Sequence, residues 1–515
     1  MQLVFSIEST GKRVEAQVAG AGSPARRDDT VDVLVVGAGN AAFSAAHAAR
    51  AGGARVLVLE KAPEDEAGGN SYYTAGAFRV GFDSVDDLVP LLDAESKALL
   101  PDADVPPYPK ATFRADLDRI TEGRCDPAMA DVLVGRSTET VRWLHDVGLR
   151  FRLIHERQTY VVDGRYQFFG GLVLGVVGGG KGLMQQHTAA ARASGVEIRY
   201  GTAATGLVTE AGRVVGVRCR DADGEYTVHA GAVVLAAGGF EANPTLRAQH
   251  LGPGWERAIV RGSPHNTGEV LEYAIVAGAD RHGDWGSCHS VQWDAGAPPG
   301  GGERVLTNQL TRQSYPIGIV VNNRGERFVD EGADYRNFTY AKYGKEILAQ
   351  PDGRAVQIFD AKTRPILRTL EYDSSPITGA QADTVVDLAK ALDIDPDGLA
   401  ATVEAFNAAA DPRPFDPAVK DGKSAAVDPP KSNWATPIDT PPYYGFAVAC
   451  GITFTFGGVH VDERAQVLDA GGAPIPGLFA AGELVGGLFS GNYPGGSGLT
   501  AGAVFGRLAG QHAAG

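Results

Sequence analysis

The stretch from residue 31 to 60, VDVLVVGAGNAAFSAAHAARAGGARVLVLE, leaves little freedom in what this chain can fold into. An apolar run, Val33 to Val36, enters a Gly-Ala-Gly turn and a small-residue helix from Asn40 to Ala51. A second apolar run, Val56 to Leu59, ends on Glu60. Strand, tight turn, helix and strand in this order open a doubly wound parallel sheet. Gly37 supplies a turn that a Cβ obstructs, and Gly39 lets backbone approach a pyrophosphate closely. The helix beginning at Asn40 and Ala41 presents free N–H groups and the positive end of its dipole to phosphates. Ala42 takes the third place of the G-x-G-x-x-G/A pattern. Glu60, 23 positions after Gly37, stands where an acid binds a ribose diol and repels a 2′-phosphate. The unit therefore predicts dinucleotide binding.

A chain of 515 residues exceeds one ordinary core, so two or three domains are expected. The net charge of −15 argues against a nucleic-acid surface, while a local basic pocket for a small anion remains compatible with it. Cys125, Cys219, Cys288 and Cys450 form no C-x-x-C, so neither an iron–sulfur cluster nor a disulfide framework is indicated. No window of about 20 apolar residues reads as a spanning helix, and the start lacks a signal-peptide pattern. A cytoplasmic protein is expected.

Residues 1–30 read as an N-terminal extension, with LVFSI and RVEAQV pairing as a hairpin ahead of a linker. Lys61 follows the acid, and the loop Gly69-Asn70-Ser71 just beyond it can press backbone and small polar groups against a cofactor. Residues 84–150, including VDDLVPLLDAESKALL, read as a helical insert covering the sheet. GVVGGGKGLM matches G-x-x-x-x-G-K, but Gly182 replaces the Ser or Thr of a phosphate loop, so a glycine turn before a helix is expected. Residues 196–239 read as a meander whose first strand returns to the central sheet, with Ala204 small enough to admit an adenine edge. From about 285 to 451 aromatics, prolines and scattered charges mark an inserted domain carrying helices at ADTVVDLAKAL and LAATVEAFNAAA. Cofactor-type sequence returns at 452–515: a buried strand LFAAG, then Glu483, then a Gly-rich loop ahead of an apolar helix. That helix can aim its positive end at a flavin ring. The dinucleotide domain is thus expected as 31–284 plus 452–515, interrupted by a cap.

VLVVGAGNAA, GGNS, VLAAGGFEAN, IPGLFAAGELVGGL and GGSGLTAGAVFGRLAG together resemble the flavoproteins of the fumarate reductase and succinate dehydrogenase superfamily. The resemblance spans roughly residues 31–515. It implies an α/β fold, a Rossmann-like two-dinucleotide-binding FAD domain with an inserted α+β capping domain. FAD rather than NAD is implied, held by Gly238, Glu483, Gly496, Ser497, Gly498, Leu499 and Thr500 in addition to the first unit. Members with covalent flavin carry a His near GGNS, and Tyr72 and Tyr73 stand there, so the FAD is expected to be noncovalent. YPIGIVVNNRGERFVDEGADYRNFTYAKYG, GSCHSVQWD and ITFTFGGV with GNYPGGSGLT look most like the tricarballylate dehydrogenase branch. That branch implies an oxidoreductase desaturating a C–C bond beside a carboxylate, with a hydride passing to flavin N5 and a proton to Arg336.

In this alignment His289 matches a substrate-contacting His of the cap. Phe454, between Thr453 and Thr455, replaces the His before G-G-V, and Tyr493 replaces a second substrate arginine. Two carboxylate-binding cations are missing from their usual places, which weighs against fumarate or succinate. Arg336, His289 and Tyr493 are the expected catalytic residues, and Arg79, Arg312, Thr453 and Thr455 the expected substrate contacts. His460 is read as structural. The substrate is expected to be a small carboxylate. Reoxidation is expected to need a separate electron acceptor, by analogy an iron–sulfur membrane protein. Other readings are a ketone-activated steroid-like or biosynthetic desaturase, an oxygen-using flavoprotein of precorrin-type biosynthesis, and a flavin electron carrier without catalysis.

Overall fold

The computed structural model describes residues 29–373 and 377–515. The expected N-terminal hairpin lies outside the described residues. Strand β1 (Asp29–Val36), helix α1 (Asn40–Ala51) and strand β2 (Val56–Leu59) form as the 31–60 pattern predicts. The helical insert holds α2 (Lys110–Ile120) and the long α3 (Pro127–Val147). Its first stretch is less helical than its apolar spacing suggests. Pro90 has no N–H to donate, and 3-10 turns at Val85–Asp87 and Val89–Leu91 replace a continuous helix. Helix α4 (Gly179–Ala193) absorbs the G-G-K-G stretch that reads as a turn.

Strand β3 (Glu197–Arg199) lies parallel beside β2, and the meander β4 (Ala203–Glu210), β5 (Arg213–Asp221) and β6 (Gly224–Leu235) follows. The sheet order is β4-β5-β6-β1-β2-β3. A second sheet carries β7 (Cys288–Asp294), β8 (Ile319–Val321), β9 (Arg354–Asp360), β10 (Gly379–Ala382) and the 13-residue β11 (Tyr443–Thr455). Strand β11 is its spine: β7, β9 and β10 pair with it antiparallel, and the short strand Ile259–Val260 pairs parallel. β11 runs across residue 451, so the end of the cap sheet and the start of the returning FAD segment are one strand.

The chain then comes back to the first sheet. Strand β12 (Gln466–Leu468) pairs with β13 (Pro474–Ala480), and β13 lies parallel to the C-terminal half of β6. Helix α5 (Ser497–Ala513) closes the structure against α1. The two helices meet through glycine: a Cβ on Gly506 would lie 2.4 Å from the Ala41 carbonyl, and one on Gly510 would lie 2.1 Å from that of Ala45. The first and last helices of the FAD domain can therefore place their N-termini at one cleft. No helix among the described residues is long and apolar enough to cross a membrane.

Candidate active site

A single cleft of about 430 Å³ runs from the end of β2 to the interface of the two sheets. At one end are the residues of the first unit. Gly37 (φ +105°) turns directly beneath Ala236, whose carbonyl would lie 2.4 Å from a Cβ. Gly39, Asn40 and Ala41 follow at the cleft wall. The Asn40 N–H donates to Ser71 Oγ at 3.0 Å, and Asn40 Nδ2 donates to the Leu499 carbonyl at 2.8 Å, tying the starts of α1 and α5 together. Glu60 is buried at the wall; its two oxygens accept from the Ala38 and Ala62 N–H groups at 2.9 and 2.8 Å. Burial pushes its carboxyl up despite those bonds. Lys61 holds Thr267 Oγ1 at 2.6 Å. Gly69, Asn70, Ser71, Ala204, Gly238, Glu483, Gly496, Gly498 and Leu499 also line the cleft.

Three expected cofactor residues stand behind that wall. Ala42 is buried against the sheet. Ser497 caps its own turn through the Pro494 carbonyl, and Thr500 Oγ1 donates to the Arg79 carbonyl at 2.9 Å. They set helix ends instead of facing the cleft, because the one side of each helix that packs on protein is theirs.

The fit to a flavin dinucleotide rests on this wall. The N-cap residues of α1 and α5 are glycines, Gly39 and Gly496, with no side chain to cap the remaining N–H groups, and both helices begin at the cleft. Such ends satisfy phosphate or ring oxygens. Deeper in, Asn70 Nδ2 donates at 2.6 Å to both Glu241 Oε1 and the Thr453 carbonyl, while Asn70 Oδ1 accepts from the Ser263 N–H. Thr455 donates through its N–H to Glu483 Oε1 at 2.9 Å. Burial and the neighbouring Glu241 push Glu483 well above the usual carboxylate range.

The other end of the cleft is aromatic and cationic. A register shift in the β7–β11 pairing sets His289 opposite Phe454, with the rings stacked at 5.2 Å. Tyr493 and Tyr340 meet the His289 ring edge-on at 4.9 and 5.0 Å. Their hydroxyls are 2.7 Å apart, and the Gly496 N–H donates to the Tyr493 hydroxyl at 3.3 Å. Burial, then the adjacent Tyr493, pushes Tyr340 well above an ordinary phenol. Burial and Arg261 hold His289 well below an ordinary imidazole, so it is neutral. Arg261 Nη1 donates to Thr453 Oγ1 at 2.8 Å, and its other nitrogen reaches Asn308 Oδ1. Among the described residues Arg261 has no carboxylate partner within 4.0 Å. Arg157 also lines the cleft, 3.2 Å from the buried Glu371, which in turn takes Arg368 at 2.9 Å.

The expected catalytic Arg336 and the expected substrate arginines Arg79 and Arg312 are elsewhere. Arg336 is buried behind the wall, bonded to the Arg157 carbonyl and to Tyr160 Oη at 3.1 Å. It lies against the Tyr160 and Phe169 rings and does not line the cleft. Arg79 is fully buried, donating to the Gly495 and Gly170 carbonyls at 2.8 and 2.9 Å, and so fastens the loop ahead of α5. Arg312 is spent on Asp294 at 2.7 Å and on the Gln309 and Thr311 carbonyls. In each case buried backbone oxygens claim the guanidinium donors. Thr453, Thr455, His289 and Tyr493 do reach the cleft.

Arg157, Arg261 and Tyr340 escaped sequence reasoning. Tyr340 falls within the quoted 315–344 segment, beside the more conspicuous Arg336. HERQ and AIVRGS, which carry the two arginines, have no distinguishing pattern.

Residues 32–499 match a family model described as an FAD binding domain. The chain belongs to this FAD-binding family. It is similar to the fumarate reductase (cytochrome) of Shewanella frigidimarina, 30% identical over 506 residues, 97% of this chain and 79% of the relative. A 3-oxosteroid 1-dehydrogenase of Mycobacterium tuberculosis is 31% identical over 371 residues, 66% of this chain and 63% of the relative. The solved open conformation of a flavocytochrome c3 fumarate reductase matches with a TM-score of 0.69 and 28% identity, over 94% of this chain and 78% of that one. The fold is accordingly the expected FAD domain with a cap, and the chain is an FAD-dependent oxidoreductase acting on CH–CH groups.

Proposed function

We propose that this oxidoreductase interconverts a CH–CH bond and a C=C bond next to a carboxylate, with a tricarballylate-like polycarboxylate as the specific substrate class. FAD, when bound, supplies the two-electron chemistry. The observation that carries the reading is the pair of buried guanidiniums at the cleft, Arg157 and Arg261. Arg157 shares one carboxylate, Glu371, with Arg368, and Arg336 lies behind on the Arg157 carbonyl, so cations outnumber the carboxylate around the inner end of the cleft. Burial lowers Arg157 and Arg261, and pushes Arg368 down to about 9. A bound carboxylate relieves that strain. Unpartnered buried atoms on His289 (Nδ1), Arg261 (Nε), Gln158 (Oε1) and Asn337 (Oδ1) surround the same space and suit a polar ligand.

The proton is assigned to Tyr493, in place of Arg336. Its hydroxyl lines the cleft 2.7 Å from that of Tyr340, on the same side as the Arg261 cation, where it can take or give a proton. Tyr340, raised by burial, keeps its proton and orients Tyr493. His289 is neutral and packs as a wall, with Phe454 closing the side where a further cation would be needed for a small dicarboxylate. We take the electron acceptor to be a separate molecule; the four cysteines are all buried and unpaired.

A second reading has one specific observation in its favour. The Tyr493 hydroxyl, flanked by Tyr340 and the Gly496 N–H, also suits polarisation of a ketone. Anaerobic mixing of the FAD-loaded enzyme with tricarboxylates, dicarboxylates and enone-forming ketones, followed by flavin absorbance and product analysis, separates the two. Bleaching by tricarballylate supports the carboxylate reading. Bleaching by ketones alone overturns it.

A further inference from the structure

Away from the cleft, two imidazoles lie face to face. His282 and His460 have ring centroids 3.9 Å apart and planes within 13°. Asp126 Oδ2 is 3.3 Å from His282 Nε2, and Asp280 Oδ2 is 3.3 Å from His460 Nδ1. We propose that Asp126, His282 and His460 form a binding site for a divalent transition metal of the zinc type, with Asp280 orienting His460 from behind. Ligand atoms of the three residues lie within 4.8 Å of one another. Metal bonds of about 2.0–2.2 Å require them to close by roughly an ångström, which a small splay of the two parallel rings achieves.

The surroundings keep those atoms available. Asp126 caps α3, but only Oδ1 takes the Met129 N–H, leaving Oδ2 turned to His282. His282 Nε2 makes no hydrogen bond although the atom is shielded from solvent. Asp280 against the Nδ1 of His460 is the carboxylate–histidine arrangement that fixes a ring and leaves Nε2 for an ion. Space is kept by Gly487 (φ +101°): a Cβ there would lie 2.7 Å from His282 Nε2 and 3.3 Å from the Met129 sulfur. The side chains of Asp126, His282 and His460 are 22–27% exposed, so an ion can enter and water can complete the shell. Two imidazoles and a carboxylate suit Zn²⁺, Co²⁺ or Ni²⁺ better than Mg²⁺ or Ca²⁺.

The site joins three distant pieces of chain. Asp126 belongs to the helical insert, and its N–H donates to the Gly487 carbonyl at 2.7 Å. His282 pairs in register with Gly458, and His460 follows two residues later. Glu483, four residues before Gly487, lines the FAD cleft. An ion here braces the insert and the segment that carries Glu483 together.

The test uses tag-free, FAD-loaded, chelator-treated protein titrated with Zn²⁺ by calorimetry, and with Co²⁺ by visible absorption. One equivalent is expected to bind, with a thermal upshift on Zn²⁺ and d–d bands on Co²⁺. His282→Ala and His460→Ala are expected to abolish binding, and Asp280→Asn to weaken it about tenfold. If the alanine variants lose FAD, His460→Gln and Asp126→Asn repeat the comparison. Absence of saturable binding, or one-equivalent binding unchanged in these variants, overturns the proposal.

Discussion

Arg261 is a buried cation whose hydrogen-bond partners are a hydroxyl and an amide, Thr453 and Asn308. Replacing it by Gln removes the charge, and the shorter side chain with its single amide nitrogen gives up hydrogen bonds to these partners. For folding, two opposing terms follow. Each lost hydrogen bond to a charged group costs about 1.5–3 kcal/mol, whereas removing a buried, unpaired ion returns several kcal/mol of desolvation. The two nearly cancel, so Arg261→Gln should change stability by no more than about 2 kcal/mol, in either direction. For ligand binding nothing cancels. A carboxylate about 4 Å away at an effective dielectric of about 20 gains roughly 4 kcal/mol from the guanidinium. Allowing half of that for neighbouring screening, Arg261→Gln should weaken carboxylate binding by ~30- to 1000-fold. Titration of the flavin spectrum with tricarballylate and related carboxylates measures the affinity, and calorimetric unfolding of the same FAD-loaded protein measures stability. A variant that unfolds much more easily yet binds carboxylates as before would show that Arg261 is a structural residue, and the charge argument for the substrate would fall with it.

Tyr493→Phe should lower kcat by on the order of a hundredfold or more with FAD content intact, as for loss of a positioned acid–base group, while Arg336→Lys should stay within about tenfold. The reverse order in single-turnover rates would return the proton to Arg336. Glu371→Gln leaves Arg157 and Arg368 without their carboxylate and should destabilise the fold by about 3–5 kcal/mol in chemical denaturation. Burial raises the Glu371 carboxyl, but Arg368 and Arg157 outweigh it and hold it below 4.5. Its stabilisation is therefore fully present above that value and is lost as pH falls below it, so the variant should show a flatter stability profile there. Gly506→Val drives a side chain into the Ala41 carbonyl and should abolish FAD retention on gel filtration. Heat or acid should release free FAD from the native protein into the supernatant, and flavin remaining in the precipitate would mean covalent attachment.

The nucleotide half of the site could be read from sequence because it is made of backbone. A phosphate cradle needs glycine at Gly37 and Gly39, a helix start at Asn40 and an acid at Glu60, all within one continuous stretch. The returning segment carries its own signature for the same reason, with Gly496 ahead of an apolar helix and Gly498 in its first turn. The class of fold followed from these local requirements. The substrate half is made of side chains delivered by separated segments: Arg157 from beside the insert, Arg261 from the approach to the cap sheet, His289 from β7, Tyr340 from the cap and Tyr493 from the returning segment. Arginine is common in this chain, and its role depends on what claims its donors. Arg79, Arg312 and Arg336 have the same guanidinium as Arg261, yet buried carbonyls, a carboxylate and a tyrosine hydroxyl occupy those three, and Arg157 reaches the cleft while also bonded to Glu371. Which guanidinium reaches the cleft is decided by long-range packing, with no local periodicity to announce it, and so only the tertiary structure could tell them apart.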